Sequence, residues 1–180
     1  METGEVYSDY DVHYYVSKDG LMKVVLQDIK KLETEAIMVG FFEDVRPLKG
    51  AAGELDWLLC GSLSSLIIKK KLRGVLGDIA LLTSQGKLPV QKIFMVGLGK
   101  SGDFTPSIMR SAARNAATSA LGAGVTKVAI DFFLTSNMPY DSSVTAFSEG
   151  FSQGADGRQF DVSLLAPDAT TYEKIARLLK

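Results

Sequence analysis

Residues 92–133 read KIFMVGLGKSGDFTPSIMRSAARNAATSALGAGVTKVAIDFF, and this stretch decides the fold. Lys92 to Leu98 is a short apolar run closed by glycine, which predicts a buried strand. Thr105-Pro106 opens a helix: the threonine hydroxyl can accept an orphan backbone N–H, and proline suits the first helical position. The helix is expected to run to Leu121, with Gly122 and Gly124 as its stop. Its inner face is small, with Ala112, Ala113, Ala116, Ala117 and Ala120 at helical spacing, so it can lie close against a sheet. Lys127 to Phe133 (KVAIDFF) is the next strand. Strand, helix and strand in this order form a parallel crossover.

Outward from that unit the alternation continues. Asp78 to Thr83 (DIALLT) is a strand, and the turn at Gln85-Gly86-Lys87 predicts that it pairs with Lys92–Leu98 as a hairpin. Leu21 to Gln27 and Ala36 to Phe42 read as strands, the second one buried. Ala51 to Lys71 reads as a single helix, because Leu55, Leu59, Leu63, Leu66 and Ile67 share a stripe. A weaker helix is expected over Ser142–Gln153, then a strand over Asp161–Leu165. Tyr172 to Lys180 reads as a last helix with Ile175, Leu178 and Leu179 inward. The class is therefore α/β, a three-layer α/β/α arrangement with a mixed, mostly parallel sheet. The domain is placed at residues 21–180. Residues 1–20 fit either a disordered extension or an added edge strand, and the alternation of Tyr10, Val12, Tyr14 and Val16 favours the strand.

Composition bounds the function. At 180 residues, 46% of them hydrophobic and 23% charged, the chain can bury a core without staples. A net charge of −1 supplies no broad positive field, so nucleic acid is not expected as a partner. No apolar run reaches the length of a membrane span, so no membrane partner is expected either. The polar, acidic start lacks the pattern of a secretory signal. The single cysteine, Cys60, cannot pair internally, and a cytoplasmic location is the expectation.

Residues 36–65 (AIMVGFFEDVRPLKGAAGELDWLLCGSLSS) carry a resemblance. A strand ending in an apolar-glycine run leads into an acidic loop and a helix opening with Gly53-Glu54-Leu55-Asp56-Trp57. Gly86-Lys87-Leu88, Met95 to Lys100 and Phe104-Thr105-Pro106 follow in order. The set resembles the N-terminal, macro-domain-like domain of leucyl (cytosol) aminopeptidases, over about Leu21 to Lys180. The resemblance implies a non-catalytic module that serves assembly or regulation. It also implies self-association or a catalytic aminopeptidase domain as partner. In that family two divalent metals and the catalytic lysine and arginine belong to a second domain, marked by an Asn-Thr-Asp-Ala-Glu-Gly-Arg segment that is not found here. No catalytic residue is carried over, no metal or cofactor is expected in this chain, and the chain alone is expected to be inactive.

Several motifs invite other readings. Gly97-Leu98-Gly99-Lys100-Ser101-Gly102 has the spacing of a dinucleotide fingerprint, with Asp131 ending the next strand. The helix, however, starts at Thr105-Pro106, after the motif has finished, so a glycine turn is the better account. Gly99-Lys100-Ser101 is half a P-loop, but Phe94 stands where the first glycine belongs. Met38-Val39-Gly40-Phe41 and Met95-Val96-Gly97-Leu98 end alike. If both strands run parallel, Gly40, Gly97, Gly99 and Lys100 form a rim where a small molecule would bind; the resemblance to macro domains implies ADP-ribose or a nucleotide as that ligand. The alternative is that these glycines only end strands. His13 reads as a surface histidine and Cys60 as a core cysteine. Lys69-Lys70-Lys71 with Arg73 reads as a solvated helix end. Trp57 fits a helix anchor or an interface.

Overall fold

The apolar runs Ile37-Met38-Val39 and Ile93 to Val96 are at most 1% exposed, because they become neighbouring central strands covered on both faces. The computed structural model describes residues 8–9, 12–16, 22–26, 28–131, 133, 135 and 138–179, with side chains from residue 22 onward. Strands β1 (Ser8–Asp9), β2 (Val12–Val16), β3 (Met22–Leu26), β4 (Ala36–Phe41), β5 (Ile79–Thr83), β6 (Lys92–Gly97), β7 (Lys127–Asp131) and β8 (Asp161–Leu165) make one sheet. Their order is β1-β2-β3-β8-β7-β4-β6-β5. The five strands from β3 to β6 run parallel; β2 and β5 pair antiparallel at the two sides. The expected hairpin of β5 with β6 is present, with Leu81 opposite Phe94.

Helices α1 (Gly50–Leu58), α2 (Ser62–Ile68), α3 (Pro106–Gly122), α4 (Tyr140–Ala155) and α5 (Ala169–Leu178) cover the sheet. Alternate strand residues separate into two cores. Met38, Phe94 and Val96 face α3, α4 and α5, whereas Ile37, Val39, Ile93 and Met95 face α1 and α2. The three-layer α/β/α class with a mixed, mostly parallel sheet follows from this layering. Thr105 caps α3 by accepting from the Ile108 N–H, with Pro106 behind it. The alanine face of α3 serves a second helix as well as the sheet. A Cβ at Gly150 of α4 would stand 2.1 Å from the Arg110 carbonyl oxygen, and one at Gly154 would stand 2.2 Å from that of Arg114.

The single helix read over residues 51–71 is broken in the structure. The chain bends by 106° between α1 and α2. Cys60 and Gly61 both take left-handed backbone (φ 55 and 76), and the Gly61 N–H donates to the Asp56 carbonyl, which closes α1. The Asp56 carboxylate then accepts from the Ser64 N–H at 2.9 Å and from the Ser64 hydroxyl, which holds the start of α2. Periodicity alone ran through the break because Leu55, Leu59 and Leu63 stay buried on both sides of it. Asp56→Ala is expected to destabilise the fold by about 1–2 kcal/mol in urea titrations; an unchanged midpoint would mean that the bend holds without this cap.

The bend also carries Cys60 to the surface, so it is not a core cysteine. Near the C-terminus, Asp168 caps α5 by accepting from the Thr171 N–H, and the helix begins at Ala169, three residues before the expected start at Tyr172. Thr171, Ile175 and Ala176 face in, Leu179 packs on the core, and Leu178 is 37% exposed rather than inward. Helix α4 is longer than expected, extending two residues beyond each predicted end. The β7 strand ends at Asp131, two residues before the expected Phe133. Lys69, Lys70, Lys71 and Arg73 are exposed. His13 lies in β2, and its side chain is outside the described residues.

Candidate functional site

The parallel strands β3, β4, β7 and β8 all end on the same edge of the sheet, and a cavity of about 890 Å³ opens there. Its floor is made by Leu26 of β3, Gly40 and Phe41 of β4, Asp131 of β7 and Leu165 of β8. One wall is the 3-10 turn Ile29–Lys31 with its capping Asp28. The opposite wall is the loop after β4 and the start of α1, with Lys49 and Glu54. Leu98, Ser101 and Phe133 close a further side. Parallel strands concentrate such a crevice at their carboxyl ends, because the chain leaves the sheet there in loops of alternating direction.

The loop after β4 is tied down by Asp44. Its carboxylate accepts from the Ser101 N–H at 2.9 Å and from the Ser101 hydroxyl at 3.1 Å. The backbone hydrogen bond from Ser101 holds the Asp44 carboxyl below the usual carboxylate range. Asp131 is in the opposite condition. It follows Val128, Ala129 and Ile130, all fully buried. Its side chain is half-buried and keeps access to the cavity. Burial pushes that carboxyl up to about 7.

Of the four residues read as a rim, the structure places Gly40 in the cavity lining and Gly97, Gly99 and Lys100 outside it. The strands β4 and β6 do run side by side, with Gly40 opposite Val96 and Phe41 opposite Gly97. Gly40 makes room for the side chains of Phe133 and Leu98, since a Cβ there would stand 2.6 and 2.7 Å from them. Gly97 and Gly99 instead receive the Gly74–Val75 loop. A Cβ at Gly97 would stand 2.1 Å from the Val75 carbonyl oxygen, and the left-handed Gly99 (φ 76) donates its N–H to the Gly74 carbonyl. The fingerprint spacing is thus accounted for by loop packing, and α3 begins only at Pro106. Lys100 is exposed.

Asp28, Glu54 and Asp131 are the carboxyl groups of the cavity, and sequence reading did not assemble them. The available signal was at Asp131, a charge ending an apolar strand and followed by Phe132-Phe133. Among the described residues no group of three or more His, Cys, Asp or Glu side chains stands ready to hold a metal.

Known structures of this architecture include a Trypanosoma brucei macrodomain in complex with ADP-ribose. It matches at a TM-score of 0.72 with 14% identity, covering 89% of this chain and 70% of that one. The fold is that of a macrodomain-like module. The chain belongs to the cytosol aminopeptidase family and matches its N-terminal domain over residues 38–158. A probable cytosol aminopeptidase of Geobacter sulfurreducens is 31% identical over 151 residues, which cover 83% of this chain and 30% of that protein. A tomato leucine aminopeptidase variant matches at a TM-score of 0.63 with 19% identity, over 90% of this chain and 35% of that one. The chain thus spans about a third of the length of such relatives. Among the described residues no single helix is long and apolar enough to cross a membrane.

Proposed function

We propose that this chain is a non-catalytic module of a metal-dependent aminopeptidase and acts in assembly or regulation. The catalytic metals and their ligands would belong to a separate domain of the enzyme. The supporting observation is the outer surface of the α1–α2 layer. Trp57 is 75% exposed and Ile68 80%, and side chains of this size gain about 1.5–3 kcal/mol each when fully buried. Family membership supports a catalytic aminopeptidase domain or a second copy of this chain as the partner. The names of the curated relatives support a cytoplasmic location. In sedimentation velocity, alone and with a catalytic aminopeptidase domain, the chain is expected to form a complex that weakens at least tenfold in Trp57→Ser/Ile68→Ser. A monomer at every concentration, with no complex in the mixture, overturns the reading.

A second reading is favoured by the cavity. Its place at the carboxyl edge and the ADP-ribose complex of a macrodomain with this architecture support binding of ADP-ribose or a nucleotide beside Gly40. A ligand at a hundred times its dissociation constant stabilises the folded state by about 2.7 kcal/mol, a rise of about 5–11 °C in Tm. Thermal shift with millimolar ADP-ribose is expected to show that rise; a flat titration removes this reading and leaves the first untouched.

A further inference from the structure

We propose that the cavity at the carboxyl edge of β3, β4, β7 and β8 takes an apolar organic ammonium, its charged head held by Asp131 and its hydrocarbon body resting on Phe41, Phe133 and Leu165. The first ground is position. Asp131 ends the central strand β7, in register with Leu165 on β8 and one step beyond the Met38–Ile130 pair on β4. Its carboxyl therefore emerges at the floor of the cavity rather than at its mouth.

The second ground is the lack of a partner. Among the described residues Asp131 has no hydrogen bond or ion pair. Its side chain is half-buried and faces the cavity, so the carboxylate is open there to a cationic ligand. The surrounding elements do not neutralise it. β4 carries no titratable residue, and β8 carries only Asp161 at its far end, paired with Lys23. The remaining charged groups lining the cavity are Asp28 and Lys31 on the 3-10 side and Lys49 and Glu54 at α1. None of them shifts the Asp131 carboxyl; burial alone does.

The third ground is complementarity. Carboxyl groups outnumber ammonium groups three to two in the lining, and the rest of the floor is hydrocarbon and aromatic. A diphosphate would bring negative charge towards Asp131, whereas an ammonium restores the interactions that the buried carboxylate lost on leaving water. The inference is independent of the ADP-ribose reading and competes with it for one space.

Isothermal titration of the intact chain with isoamylamine, isoamyl alcohol and ADP-ribose separates these outcomes. The amine is expected to bind and the alcohol not. Its affinity is expected to rise about tenfold from pH 6 to pH 8 as Asp131 ionises, because a bound proton and the ammonium exclude each other. In buffers of different ionisation heat, binding below pH 7 is expected to release up to about one proton, a readout that needs no variant. Asp131→Asn is expected to abolish binding of the amine together with its pH dependence. Absence of amine binding, equal binding by the alcohol, or pH-independent binding without proton release overturns the proposal. Binding of ADP-ribose alone overturns it too, and leaves the nucleotide reading standing.

Discussion

Asp131→Asn is expected to stabilise the protein, and to do so more strongly at pH 8 than at pH 5. The folded chain keeps the Asp131 proton up to about pH 7, whereas the unfolded chain gives it up near the ordinary value of 3.8. Between those limits the folded state holds more protons, so stability falls as pH rises from about 4 to about 7, and the deficit is complete above 7. The shift sets that deficit at no more than about 4 kcal/mol, and water reaching the carboxyl through the cavity lowers it. Asparagine has the same shape and no charge to desolvate. Urea unfolding of both forms at pH 5 and pH 8 measures the difference. We expect a gain of about 1–2 kcal/mol at pH 5 and about 2–4 kcal/mol at pH 8. Equal midpoints at pH 8 would show that the carboxylate is better solvated than the fold implies.

The second large effect belongs to the contact between α3 and α4. Gly150→Ala places a methyl group 2.1 Å from the Arg110 carbonyl oxygen, against backbone that cannot rotate away. The two helices must then separate, which opens the layer containing Ala113, Ala117, Phe147 and Phe151. A cost of about 3 kcal/mol or more is expected, a fall in Tm of about 6–12 °C. Gly122→Ala is the control. It lies in α3 with nothing within 4 Å of the added Cβ, and it is expected to change stability by less than about 1 kcal/mol. Equal melting of Gly150→Ala and the parent chain would mean that the helices are not this close in solution.

Legibility followed the range of the forces involved. The apolar strands and the Thr105-Pro106 start of α3 could be read because each is decided within a few residues. The parallel crossover followed from their order. The break at Cys60–Gly61 was hidden because the leucine stripe continues in phase across it, and only the hydrogen bonds that Asp56 accepts, at its carbonyl from the Gly61 N–H and at its carboxylate from the Ser64 N–H, reveal it. At α5 the stripe allowed two frames, and the Asp168 cap, not hydropathy, chose the one that leaves Leu178 outside. Of the four residues read as a rim, only Gly40 lines the cavity. Gly97 and Gly99 resemble it in sequence, but the Gly74–Val75 loop occupies their approaches, and that contact joins residues more than twenty positions apart. Asp28, Glu54 and Asp131 belong to three separate elements, and sequence spacing holds no record of their meeting.

The order of the strands has a consequence for how the chain is made. β3 joins the rest of the sheet only through β8, with Met22 beside Val162 and Val25 beside Leu165. A nascent chain emerging from the ribosome therefore carries its first strands unsheltered until almost all of the domain has been synthesised. β4, β6 and β7 can assemble before that moment, but the amino-terminal strands must wait for the carboxyl-terminal one. Any truncation ahead of Asp161 strands them permanently and exposes Val24 and the β7 edge to other chains. Closure of the sheet thus waits for β8, and the interval before it is when chaperones have most to protect.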